Sequence, residues 1–314
     1  MSNEVFLKRN TTVDSVNNPI QQPVEGKIPD RGTTEQNTNI PGNFNIPDVV
    51  KNKLMQQATS KYPTETFDLP SKGWFYPEDN PASKGVIEFR MMTAYEEDIL
   101  TSQKLLKNET AIPKVIERLI VTPGIKPDTL LLCDYNAIVY FVRRVAYGND
   151  YGPFSVQCES CGETAKFQHV DLSQFEFKDI DFESYEKGTN HFEFVLPYSN
   201  REVTFKLITM ADSKVIDNEI QTMSKMNRIG LSSNITTRLK YTITSVDGKT
   251  DLTYISRFVQ NDLISRDSAA LRAYINEVTP ELDTTFTFTC PSCGMEARME
   301  VPMTSEFFWP KSRV

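Results

Sequence analysis

Polar and apolar residues alternate along Val86-Ile87-Glu88-Phe89-Arg90 and again along Val203-Thr204-Phe205-Lys206-Leu207. A period of two puts successive side chains on opposite faces, so each run predicts a strand with one face toward a core. Each predicted strand leads into a helix start. Thr93, followed three residues later by Glu96, reads as a capping box, and Thr209 with Asp212 places similar chemistry at the same point. Ahead of the strands, Phe67-Asp68-Leu69-Pro70 recurs as Phe194-Val195-Leu196-Pro197. Beyond the helix starts, Arg118-Leu119 answers to Arg238-Leu239, and Asp134, Ala137 and Val145 answer to Asp267, Ala270 and Val278 at one offset of 133.

These correspondences predict an α+β fold of two tandem pseudo-symmetric repeats, each made of strands plus helices. The first repeat is expected over residues 64–187 and the second over 188–314. Their spacing drifts through insertions: Leu69 to Thr93 spans 24 positions and Leu196 to Thr209 spans 13, the excess lying around Pro77-Glu78-Asp79-Asn80-Pro81. Loops absorb such length changes at little cost. The acidic, aromatic stretch from Phe175 to Tyr185 reads as a solvated connector.

Residues 1–63 break the pattern. They are rich in Asn, Thr, Pro and Gln, with Phe6 and Phe44 as the only Phe or Trp, which is too little apolar surface to offset ordering entropy. A flexible, disordered N-terminal arm is expected. Within it, Val49, Val50, Leu54 and Met55 form one apolar stripe if a short helix follows Pro47, either as a transient helix or as a docking peptide.

Over all 314 residues, 39% are hydrophobic, with 19 Phe and 12 Tyr, enough for a packed core. The 34 Lys and Arg against 42 Asp and Glu leave a net charge of -8, which argues against a surface that displaces counterions from nucleic-acid phosphates. No apolar run approaches the roughly 20 residues that cross a bilayer, and the start of the chain lacks a signal pattern, so a cytoplasmic protein without a membrane partner is expected. Motifs for phosphate loops, nucleophile elbows, zinc proteases and dinucleotides are absent, and Glu96-Glu97 is explained by a helix dipole. Neither an enzyme nor a small-molecule substrate is expected.

The chemistry that stands out is a pair of identical motifs, Cys158-Glu159-Ser160-Cys161-Gly162 and Cys290-Pro291-Ser292-Cys293-Gly294. Two intervening residues let both thiolates of a tight turn face one tetrahedral metal, and the following Gly closes the turn in a left-handed conformation. Each pair lies between extended runs, Phe154 to Gln157 and Ala165 to Gln168 in one case, Thr285 to Thr289 and Glu296 to Val301 in the other. That is a hairpin with ligands at its tip. Reducing surroundings favour metal over a disulfide, and a redox pair would need a helix start. The expectation is one structural Zn2+ on Cys158, Cys161, Cys290 and Cys293, a four-cysteine zinc ribbon joining the two repeats. His169, eight positions after Cys161, is a remote substitute ligand; His191 reads as a surface residue and Cys133 as a core residue.

Phe67-Asp68-Leu69-Pro70-Ser71-Lys72-Gly73, Tyr76-Pro77, Met92-Thr93-Ala94-Tyr95-Glu96-Glu97-Asp98-Ile99-Leu100, the two knuckles and Phe307-Phe308-Trp309-Pro310 together resemble the baseplate hub proteins of T-even-like contractile-tailed bacteriophages. The resemblance runs from about Phe67 to Pro310. It implies a structural or assembly component of the central hub of the tail baseplate, assembled in the host bacterial cytoplasm among other phage baseplate, hub or tail proteins. Two readings stand beside it: a transient tail or hub assembly chaperone absent from the mature virion, and a zinc-ribbon nucleic-acid-binding protein.

Overall fold

A computed structural model describes residues 63–108, 110–226, 233–301 and 305–308. The expected arm, but for Pro63, and the Trp309-Pro310 end of the resemblance lie outside the described residues. What is described is α+β, as the period-two and capping signals predict. β1 (Thr64–Asp68) pairs antiparallel with β2 (Val86–Arg90), Phe67 opposite Ile87. The long connection between them folds back tightly. Gly73 has φ +74°, and a Cβ there would stand 2.4 Å from the Ser83 carbonyl oxygen, so only glycine fits.

α1 (Ala94–Thr101) begins where the capping box put it: the Thr93 N–H and hydroxyl donate to Glu96 Oε2 at 3.0 and 2.7 Å. Ser102 is extended and separates α1 from α2 (Gln103–Lys107). α3 (Ala111–Leu119) buries Ala111, Val115, Ile116 and Leu119, the stripe of a helix packed on one face. α4 (Leu132–Tyr147) is buried nearly all round and forms the axis of the core. The first hairpin follows as β3 (Asp150–Gln157) and β4 (Thr164–Asp171).

A second series of strands and helices follows. β5 (Phe192–Val195), β6 (Glu202–Phe205) and β7 (Ile243–Val246) make a three-stranded antiparallel sheet, and α5 (Met210–Met226) and α6 (Asn234–Thr242) lie between β6 and β7. The expected strand from Val203 to Leu207 thus begins and ends slightly earlier. α7 (Leu252–Arg257) continues into a single π turn, α8 (Ser265–Val278) answers to α4, and β8 (Thr285–Thr289) with β9 (Glu296–Glu300) forms the second hairpin.

Several contacts recur at matching places. Phe89 bridges Ile120 as Phe205 bridges Ile243, directly after α3 and α6. This register sets Leu119 against Thr242, one helical turn away from the expected match of Arg118-Leu119 with Arg238-Leu239. The Thr209 N–H donates to Asp212 Oδ2 at 2.9 Å, as Thr93 does to Glu96. Arg90 meets Glu96 at 2.7 Å and Lys206 meets Asp212 at 2.9 Å, each cation at the end of its strand. One apolar core serves both halves, and the stacked Phe192 and Phe205 rings reach Phe75 of the first half, 5.2 Å from Phe192.

The connector is more than solvated chain. Its acids are exposed, but Phe182 is buried, and Phe177 bridges Leu282 through hydrogen bonds from the Lys178 N–H to the Glu281 carbonyl and from the Asp283 N–H to the Glu176 carbonyl. Aromatic residues alternating with acids let one strip anchor while the other stays wet.

Candidate metal centre

The two knuckles share one local design. The Cys158 N–H donates to the Glu163 carbonyl and the Cys290 N–H to the Met295 carbonyl, both at 2.8 Å. Gly162 and Gly294 donate back to Cys158 and Cys290 at 2.9 Å, with φ of 74° and 70°. That left-handed step turns the chain so that both sulfurs of a knuckle point the same way.

The strands below bring the tips together. Val156, Ala165, Phe288, Cys158 and Cys290 form a small apolar cluster of their own, flanked by Phe154 and Phe286 packed edge to face at 5.7 Å. Cys158 and Cys290 are buried, Cys161 and Cys293 exposed. All four sulfurs lie within 4.8 Å of one another. Cys158 Sγ is 3.7 Å from Cys293 Sγ, and Cys161 Sγ is 3.7 Å from Cys290 Sγ. A tetrahedral ion with metal–sulfur bonds of about 2.3 Å sets its sulfurs about 3.8 Å apart, whereas a disulfide needs about 2.05 Å. The spacing fits a metal and not a bond. Backbone N–H groups of Cys293 and Ser292 aimed at Cys290 pull its thiol down to about 7, the direction a thiolate ligand needs. Cys161 is helped by the Glu163 N–H, but its sulfur neighbours outweigh that and push it to about 12, since one unneutralised charge among four sulfurs resists a second.

Exchanging the knuckles maps one 3.7 Å contact onto the other, as a local two-fold requires. The exchange is not carried into the body. Leu131, just ahead of α4, bridges Thr209, just ahead of α5, and these are not equivalent places. A two-fold through the whole body would also pair Ile264 with Thr93, and Ile264 is instead 48% exposed.

His169 and His191 stay away from the sulfurs. His169 Nδ1 lies 3.1 Å from an Asp150 oxygen and His191 Nε2 lies 3.7 Å from Glu193, both exposed. Cys133 is buried in the core, as expected.

Sequence reasoning missed a second constellation. Asp134 is fully buried on the first turn of α4 and accepts the Ser71 N–H at 3.0 Å, the Ser71 hydroxyl at 2.6 Å and the Tyr76 hydroxyl at 2.7 Å. Tyr76 in turn accepts the Leu131 N–H at 2.8 Å. Burial pushes the Asp134 carboxyl above its ordinary range against the pull of those donors. The block Leu69-Pro70-Ser71-Lys72-Gly73 is the sequence signal for it. In the second half, Asp267 accepts the N–H groups of Tyr198 and Ser199 at 2.9 and 3.0 Å, again from the turn after Leu-Pro. Arg143 was also missed: it is buried, it donates to the Phe307 carbonyl at 2.8 Å, and it fixes the buried Phe307-Phe308 segment against Tyr140 and Tyr151.

A family model for the T4 bacteriophage base plate protein matches residues 63–309. The chain belongs to the T4 bacteriophage base plate protein family. Both knuckles and both Leu-Pro turns fall inside the matched span, and residues 1–62 fall outside it. No curated protein and no solved structure matches the chain. Membership in the base plate family gives a structural role in the phage tail baseplate in the company of other baseplate proteins. Among the described residues, no helix is long and apolar enough to cross a membrane.

Proposed function

We propose that this base plate protein is a component of the central hub, built from two duplicated halves that one structural zinc ion clamps together through Cys158, Cys161, Cys290 and Cys293. The observation that carries the reading is the sulfur tetrahedron itself: two ligands come from each half, within 4.8 Å, although Cys161 and Cys290 are 129 residues apart. When bound, zinc supplies cross-linking and charge neutralisation for four thiolates. Their number leaves no open coordination position, so the site does no chemistry on a substrate. The recurring turn, cap and strand contacts support the duplication.

An apparent metal-binding free energy on the order of 10 to 16 kcal/mol offsets the entropy of closing so long a loop. The clamp therefore holds the halves in register while the shared core stays closed. Purified full-length protein should carry one zinc per chain by elemental analysis, and purified virions should contain the protein in stoichiometric amount by mass spectrometry. Zinc-free protein from metal-replete cells would remove the clamp. Absence from virions would replace the hub component by an assembly chaperone. The net charge of -8 stands against a nucleic-acid ribbon, and retardation of DNA or RNA at low salt would reverse that.

A further inference from the structure

The two halves touch through a contact that uses only one of each pair of matching edges. Leu131 and Thr209 form an antiparallel bridge, the Leu132 N–H donates to the Ile208 carbonyl at 2.9 Å, and the Met210 N–H donates to the Leu130 carbonyl at 2.9 Å. Lys214 and Asp128 pair across the same seam. In this contact the edge ahead of α4 meets the edge ahead of α5, which is a head-to-tail arrangement. By the correspondence of the halves, Ile264 stands ahead of α8 where Leu131 stands ahead of α4, both extended, with ψ of 151° and 142°. Thr93 stands ahead of α1 where Thr209 stands ahead of α5.

Those two counterparts are unused. Leu131 is 2% exposed, but Ile264 is 48% exposed; Thr93 is half-buried, and Tyr95, two residues on, is 58% exposed with the Arg118 guanidinium over its ring. Among the described residues, the Ser265 N–H, the Leu263 carbonyl, the Ala94 N–H and the Met92 carbonyl find no backbone partner. Isolated apolar residues on a surface mean little, but here exposed Ile264 and Tyr95 lie at or beside the two places where the chain's own seam predicts partners.

We infer that a second copy of this chain docks its Met92-Thr93-Ala94 edge on the Leu263-Ile264-Ser265 edge, repeating between molecules the seam that joins the halves within one. The inference rests on the proposed duplication. A heterologous contact of this kind closes into a ring or runs on as a filament, according to its rotation.

The test uses two proline variants of the full chain. Ser265 and Ala94 are each the first residue of their helix, where proline is accommodated and removes only the N–H. The zinc-loaded wild type should sediment as species larger than a monomer, growing with concentration. Ser265→Pro and Ala94→Pro should each be monomeric, and an equimolar mixture should give a dimer and nothing larger, because one intact pair of edges remains. Either variant assembling like the wild type would overturn the inference. So would a wild type that stays monomeric while carrying zinc and unfolding cooperatively, and that outcome leaves the duplication standing. Halves that fail to superpose in an experimental structure would remove the duplication independently. If a proline variant unfolds, Ile264→Asp or Tyr95→Asp replaces it, since both side chains face solvent.

Discussion

Asp134 and Asp267 hold the same post in the two halves and hold it by different means. Each sits on the first turn of its helix and receives the chain turn that follows Leu-Pro. Asp134 is sealed among hydroxyls, and burial raises its pKa. Asp267 is also desolvated, but bonds from Ser199 and the Tyr198 N–H outweigh this and lower its pKa; the adjoining Tyr198 side chain is 58% exposed. The same anchor thus tolerates two electrostatic regimes. What is held in common is the geometry of a carboxyl that accepts backbone N–H groups; both carboxyls are fully buried, and the turn on Asp267 is the more exposed of the two.

The largest test of the likeness between halves is the clamp. Cys158→Ser and Cys290→Ser occupy equivalent, buried places, and each should abolish zinc binding and cost at least about 4 kcal/mol in urea unfolding, the range for loss of a structural metal. The two losses should agree within about 1 kcal/mol. Stability at the wild-type level in either would refute the clamp, and a large inequality would refute the equivalence of the knuckles.

Next come the anchors themselves. Asp134→Ala strands the Ser71 N–H, the Ser71 hydroxyl and the Tyr76 hydroxyl in a dry site and should cost about 3 kcal/mol or more. Asp267→Ala strands two N–H groups close to water and should cost about 1 to 2 kcal/mol. Equal costs by chemical denaturation would mean that the second site is as dry as the first.

Some of this was legible in the sequence because it is local. The knuckles, both caps and the helices from Asp134 and Asp267 depend on residues within about one turn of each other, and periodicity and spacing report them. The Asp134 anchor depends on Ser71 and Tyr76, 63 and 58 residues away, and single residues at that separation leave no periodic trace. Arg143 and Phe307 are hidden for the same reason, 164 residues apart. The seam between Leu131 and Thr209 was invisible because symmetry reasoning pairs equivalent places, and this contact joins unlike ones. Arg118-Leu119 matches Arg238-Leu239 by residue type but lies one turn away by strand register, because an apolar stripe recurs every three to four residues and fixes helical register weakly.

The caps give a smaller contrast. Glu96 is fully buried between Arg90 and Arg118, at 2.7 and 3.0 Å, whereas Asp212 is partly exposed with Lys206. Glu96→Gln should cost about 2 kcal/mol and Asp212→Asn about 1 kcal/mol, because the first loses charge-assisted bonds to two guanidinium groups. Thermal unfolding that ranks them in the opposite order would show that Arg118, which is half exposed, contributes little.

The finest distinction is one of sign with pH. Asp267 has a depressed pKa, so its contribution is present above the ordinary aspartate value of 3.8 and is lost as pH falls through its folded value. Asp134 has a raised pKa, so its contribution is fully present below 3.8 and fades as pH rises through its folded value. Glu96, lowered to about 2 mainly through the Arg90 and Thr93 bonds that overcome its desolvation, behaves like Asp267 between 4.5 and 2. With the proposed zinc bound, acid would also protonate the thiolates and release it, so the absolute stability of every variant would fall together. Differences from the wild type remove that shared loss, because the variants keep all four cysteines. The wild-type advantage over Asp267→Asn should therefore shrink on acidification. The advantage over Asp134→Asn should instead grow as pH falls toward 3.8 and stay level below it, by urea unfolding at matched pH values. Curves in which both advantages shrink on acidification would mean that the two carboxyls share one electrostatic regime, and the contrast between the two anchors would be lost.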